Sequence, residues 1–192
     1  MTDPKALARS RLVEAQAAYA ELGDEFLEAV ATATEWAEET LRAGGGVFLL
    51  GNGGSAADAQ HWAAELVGRY LEDRQPLNVL ALTTNSSTLT ALVNDYPAEE
   101  VFERQVRAHV GEGDLLVAIS TSGESDNVLR AVAAAKEQGA KAFGVTGNGG
   151  GRLATACDAA FISPSSDTPR IQETHLLFGH CWCELVERAC SG

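Results

Sequence analysis

Apolar positions along the chain recur first at helical spacing and then in short unbroken runs. From Lys5 to about Arg42 the sequence is rich in Ala, Glu and Leu, with apolar residues three and four apart. This spacing predicts two helices, interrupted near "ELGDE" by Gly23. Five apolar runs follow, "GVFLL", "NVLAL", "DLLVAI", "KAFGVT" and "AAFIS", each giving way to turn residues and then to a helical pattern. Runs that are apolar on both faces and separated by helices predict an α/β fold. Its parallel sheet is covered on both sides, and ligands are expected at the carboxyl ends of the strands. The loops that matter are then those after Leu50, Leu82, Ile119, Thr146 and Ser163, and a final helix runs from about Pro169 to Ala189. The expected organisation is one domain over residues 1–192, with N-terminal helices in 1–43 and the βα core and last helix in 44–192.

Composition narrows the function classes. The 192 residues are 45% hydrophobic, enough to bury the core of one ordinary domain. The net charge of −13, from 27 acidic against 14 basic residues, and the lack of any Lys/Arg block argue against nucleic acid as a direct partner. The start, "MTDPKALARSRLVEAQ", lacks the apolar core of a signal peptide, and no apolar run approaches the roughly 20 residues that span a bilayer. A cytoplasmic protein without membrane contact is expected. Cys157, Cys181, Cys183 and Cys190 come late, and the spacing of Cys181 and Cys183 puts them on different helix faces. Reduced, half-buried thiols are expected rather than a disulfide or a thiolate zinc site.

Two loops carry candidate chemistry. Asn52, Gly53, Gly54 and Ser55 lie where the first strand gives way to a helix, where backbone N–H groups form an anion site. The loop lacks the Lys of a Walker motif and the spacing of a dinucleotide fingerprint, and a plain tight turn would need the same glycines. "ISTSGESDN" favours phosphate. Ser120, Thr121, Ser122 and Ser125 cluster around Gly123 at a helix start, whereas N-capping alone would need one hydroxyl. The "GNGGG" of Gly147–Gly151 echoes the first loop.

His61 and Glu65, four apart, share a helix face about one turn beyond the first loop; an exposed i, i+4 pair is the simpler reading. Gln172, Glu173, His175 and His180 stud the last helix. Gln172 and His180 are eight residues apart, about 80° around a helix, so one cavity could see both. His175 by itself reads as a core or surface histidine rather than a ligand. A carboxylate and an imidazole beside a sugar phosphate can remove and return a proton alpha to a carbonyl, and a bound cation can polarise that carbonyl.

"LLGNGGSAADAQHWAAELVGRY", "ALTT", "VNDY", "ISTSGES", "GVTGNGGG" and "TPRIQETHLLFGHCWCELVE" together resemble the phosphoheptose isomerases over nearly the whole chain. The resemblance implies the sugar-isomerase (SIS) fold, with a five-stranded parallel sheet between helices. It also implies a homotetramer with active sites shared between subunits, in which the N-terminal helices serve assembly. The activity implied is conversion of D-sedoheptulose 7-phosphate to D-glycero-D-manno-heptose 7-phosphate through an enediol, in heptose biosynthesis. By the same resemblance His61, Glu65, Gln172 and His180 fall on zinc positions, one ion per subunit, with Glu65 and His180 the acid/base pair. Ser55, Ser120, Thr121, Ser122 and Ser125 fall on phosphate loops, and Asn52, Arg69, Asp95 and Asp167 near the sugar. Two departures stand out: Asn85 replaces the usual aspartate of "TTDTS", and Pro97 follows "NDY" and stiffens the loop carrying Asp95. The rival readings are a non-catalytic SIS protein of the replication-initiator-associating type, which binds a protein, and a sugar-phosphate-binding regulator. Retention of both Glu65 and His180 favours the enzyme.

Overall fold

The computed structural model describes residues 3–191; Met1, Thr2 and Gly192, which the single-domain expectation includes, lie outside the described residues. Two helices open the chain, α1 (Pro4–Ala20) and α2 (Asp24–Arg42), broken at Gly23 as the spacing predicts. The core then alternates β1 (Val47–Gly51), α3 (Gly54–Val67), β2 (Val79–Ala81), α4 (Ser86–Asp95), a 3-10 turn (Ala98–Glu100) and α5 (Glu103–His109). It continues through β3 (Leu115–Ser120), α6 (Asp126–Glu137), β4 (Lys141–Thr146), α7 (Gly151–Ala156), β5 (Ala159–Ile162) and α8 (Thr168–Cys190).

The five strands pair in parallel in the order β2-β1-β3-β4-β5, each in the run expected to form it. Every residue of β1 and β3 is buried, which is why these strands read as unbroken apolar runs. Alternation sorts them between two cores. Val47, Leu49, Leu115, Val117 and Ile119 pack in the layer with α2, α3 and α8, whereas Phe48, Leu50, Leu116 and Ala118 pack in the layer with α5 and α6. The edge strand β2 is shorter than its five-residue run, and Leu80 at its centre is exposed.

One contact sets the relation of α3 to α8. Trp62 on α3 is fully buried, and its indole lies where any side chain on Gly179 of α8 would stand. The two helices therefore approach closely at that level, and Trp182 locks α8 to α2 by donating its indole N–H to the Ala33 carbonyl at 3.1 Å. His61 precedes Trp62 and His180 follows Gly179, so this packing brings the two histidines together. Among the described residues no helix is long and apolar enough to cross a membrane, and all four cysteines are free.

Candidate active site

The strand order places a topological switch between β1 and β3, where ligands enter open α/β sheets. Gly51 of β1 lies in register with Ile119 of β3, so the loops that leave these strands emerge side by side. In the first loop Gly53 takes φ +53°, and a side chain on Gly51 would collide with Ser55. Both glycines let the backbone fold tightly over the start of α3, where the first N–H groups have no intrahelical acceptor. The loops are joined by a reciprocal amide pair: Asn52 and Asn127 each donate Nδ2 to the other's Oδ1 at 2.9 Å. In the second loop Ser125 holds the N-cap position of α6 without a side-chain capping bond; its hydroxyl pairs instead with that of Ser120 at 3.1 Å. Ser122 accepts the Glu124 N–H at 3.1 Å. The Ser125 hydroxyl is therefore not spent on capping α6, and the Ser55 and Ser120–Ser125 segments lie side by side at the carboxyl ends of β1 and β3.

The second cluster lies further along α3. The His61 Nε2–H donates to Glu65 Oε1 at 3.1 Å, with the two side chains 38% and 27% exposed. The His61 and His180 rings meet edge to face at 5.2 Å, and the Tyr70 ring lies 6.1 Å from His180. Glu65 thus pairs with one imidazole whose ring meets a second, in a half-open patch that solvent reaches. The expectation of one helical turn between the loops and this pair needs correcting. Six and ten residues separate Ser55 from His61 and Glu65, which at helical rise is about 9 Å and about 15 Å, nearly two and three turns.

A family model described as SIS domain matches residues 12–147. A phosphoheptose isomerase of Rhodospirillum rubrum is 56% identical over 168 residues, covering 88% of this chain and 89% of the relative. The chain belongs to the phosphoheptose isomerase family. Solved structures agree in fold. The phosphoheptose isomerase of Neisseria gonorrhoeae superposes with a TM-score of 0.91 at 39% identity, and that of Francisella tularensis with 0.94 at 33%, each covering 97% of this chain and all of the other.

Several positions singled out from the phosphoheptose isomerase pattern lie outside the cluster of His61, Glu65 and His180. Gln172 packs over Gly54 at the start of α3, and the rise of α8 sets it about 12 Å from His180. Rotation by 80° lets both face one side of α8, about two turns apart along it. Asp167 precedes α8 and is exposed beside Arg11 and Glu14 of α1. Asp95 is exposed at the end of α4 and accepts a bond from the Asn94 side chain at 2.7 Å. Arg69 is exposed just past α3. Among the described residues no three His, Cys, Asp or Glu side chains form a group arranged to hold a metal ion. Asn85 caps α4 by accepting the Thr88 N–H at 3.0 Å, a task an aspartate performs equally, so this departure leaves the local fold intact.

His175 is a core histidine. It is fully buried, donates Nε2–H to the Thr146 carbonyl at 2.9 Å, and is pushed down to about 4 by burial, so it stays neutral. Three neighbours of the site escaped the sequence reading. Asp58 lies one turn before His61; burial pushes its carboxyl up to about 6 against the opposing pull of His61, and one oxygen is buried without a partner among the described residues. Tyr70 joins the site only through the strap that follows α3. Asn127 joins it only through the pairing of two loops. An acid inside an Ala-rich helix was the one sequence signal among these.

Proposed function

We propose that the chain interconverts D-sedoheptulose 7-phosphate and D-glycero-D-manno-heptose 7-phosphate, a step of heptose biosynthesis, by proton transfer through an enediol. The observation that carries this reading is Glu65 hydrogen-bonded to His61, whose ring meets that of His180, at the far end of the helix whose start carries the first phosphate loop. A carboxylate so placed can take the C1 proton of the ketose and return it at C2, while His180 serves the oxygens. Phosphate recognition rests on hydroxyls and helix-start amides, because neither Asn52–Ser55 nor Ser120–Ser125 contains Lys or Arg. The wide spacing of these loops from Glu65 favours a long substrate, whose reacting carbons lie far from its phosphate. A purely binding SIS protein would need neither Glu65 nor His180. Incubation with ketose phosphates of five, six and seven carbons, with products identified by NMR, tests the reading. Conversion of the heptulose phosphate is expected. Turnover of only shorter ketoses would reassign the substrate, and none at all would favour the binding role.

Zinc is the cofactor the donor set suits, since two imidazoles and a carboxylate are ordinary zinc ligands and an amide oxygen a weak fourth. The residues fit in part. His61 and Glu65, now joined by a hydrogen bond, would hold the ion with His180, whose ring meets that of His61. Gln172 would complete the set only after moving or from a neighbouring subunit. When bound, the ion would polarise the substrate carbonyl as a Lewis acid. Thorough chelation is expected to lower turnover and added zinc to restore it. Full turnover with metal analysis confirming its absence would leave the acid/base residues sufficient.

A homotetramer with shared sites accounts for the dispersed residues. Along α1 only Ala18 is buried, and Leu12 and Val13 are 60% and 58% exposed, so the helix offers apolar surface to another subunit. Arg170 tethers α1 to α8 through the Arg11 carbonyl at 3.1 Å and Glu14 at 3.4 Å. Light scattering at micromolar concentration is expected to give a tetramer; a fully active monomer would refute both the shared sites and this role for α1. The free thiols and the lack of a membrane-crossing helix among the described residues support a cytoplasmic location.

A further inference from the structure

The second glycine loop, Gly147–Gly151, has a use that its likeness to the first does not suggest. It takes positive φ from Asn148 through Gly151 and docks backbone to backbone under the serine loop. Leu153 donates its N–H to the Gly123 carbonyl at 3.0 Å, and a side chain on Gly123 would run into the Gly150 carbonyl. At the start of α7 this loop presents Arg152. The Arg152 backbone N–H reaches Glu124 Oε1 at 2.9 Å and its Nε reaches Glu124 Oε2 at 2.5 Å. Its Nη2 reaches the Glu124 carbonyl at 3.0 Å and Asp126 Oδ1 at 2.9 Å. One guanidinium thus holds both carboxylates that flank Ser125 and a carbonyl of the same loop. The hydrogen bonds from Arg152 hold the Glu124 carboxyl below the usual glutamate range.

Those carboxylates oppose the proposed ligand. Glu124 and Asp126 flank Ser125, and Asp126 occupies the first turn of α6, where its charge competes with a phosphate for the positive end of the helix. In a chain of net charge −13, no Lys or Arg within the loop offsets them. We propose that Arg152 is a positioning residue for substrate phosphate: it fixes the serine loop and cancels the repulsion that Glu124 and Asp126 would exert on a dianion. This rests on the reading of Ser120–Ser125 as a phosphate loop. The exposed ion pairs add little to fold stability. Their consequence is in binding.

The test measures KM for sedoheptulose 7-phosphate and the inhibition constant of inorganic phosphate, in low and moderate salt. Arg152→Gln is expected to raise both constants about three- to tenfold, less at high salt, because the unmasked charges lie within a few ångströms to a Debye length of the ligand. kcat should change far less than KM. Adding Glu124→Gln and Asp126→Asn to Arg152→Gln should recover most of the lost affinity, since no repulsion is left to cancel. Unchanged constants in Arg152→Gln, or a triple variant no better than the single one, would overturn the role of Arg152. Ser122→Ala, measured alongside, separates the two assumptions. If it leaves phosphate inhibition unchanged, the loop assignment itself has failed; if it weakens inhibition while Arg152→Gln does not, only the role of Arg152 has.

Discussion

Glu65→Gln is expected to fold, to bind substrate nearly as well as the parent, and to lose about 10²–10⁴-fold in turnover, the usual worth of a general base. The amide oxygen can still accept the His61 Nε2–H, which now reaches the carboxylate at 3.1 Å, so the geometry of the helix face survives. The buried contact of Trp62 with α8 does not involve Glu65, so the crossing of α3 and α8 should survive as well. What the amide cannot do is take a proton from carbon. Melting temperature, KM and kcat together check this. A variant within tenfold of the parent in kcat would show that another group is the base.

The second large effect concerns stability. Glu187 on α8 is 1% exposed and accepts the backbone N–H groups of Tyr70, Leu71 and Glu72 at 2.7, 2.6 and 2.9 Å. Arg74 lies 3.4 Å from it, with its side chain 3% exposed, and donates to the carbonyls of Glu65 and Leu66 at 3.0 and 2.8 Å. This pair ties the end of α3, the strap carrying Arg69 and Tyr70, and α8 into one unit. Glu187→Ala would leave three N–H groups without their acceptor and the buried Arg74 guanidinium without its counter-charge, although its bonds to the Glu65 and Leu66 carbonyls remain. Breaking such a pair by removing one partner costs about 3–5 kcal/mol. Urea unfolding at neutral pH measures the loss, and a change under about 1 kcal/mol would mean that the strap relaxes to water instead.

The pH dependence has a definite sign. Burial alone would raise the Glu187 carboxyl, but the N–H groups of Leu71, Glu72 and Tyr70, with Arg74, outweigh it and hold the group below the ordinary glutamate value. Its contribution is therefore full above the unfolded-state value of about 4.3 and is lost as pH falls below that. Glu187→Gln should flatten this acid limb, and an unaltered limb would place the acid sensitivity elsewhere.

The strands were legible because β1 and β3 are buried on both faces and carry no polar interruption. The serine and glycine loops were legible because their residues are neighbours in sequence as well as in space. Distance along a helix was harder to read. Angular position alone joined Gln172 to His180, although eight residues of rise part them. Arg74 and Glu187 left no trace, since a buried ion pair 113 positions apart looks like two ordinary surface charges until the strap and α8 meet. Asp95 and Asp167, singled out by resemblance, are exposed and lie apart from the His61–Glu65 pair.

Proton transfer through an enediol is tested most directly by running the isomerisation in deuterated water over many turnovers and reading C2 of the aldose phosphate by NMR. Deuterium at C2 is the expected result, because the proton held by Glu65 in its half-open patch exchanges with solvent in at least some cycles. A product pool that has passed back and forth many times and still carries only hydrogen at C2 would point to a hydride shift and contradict the role given to Glu65.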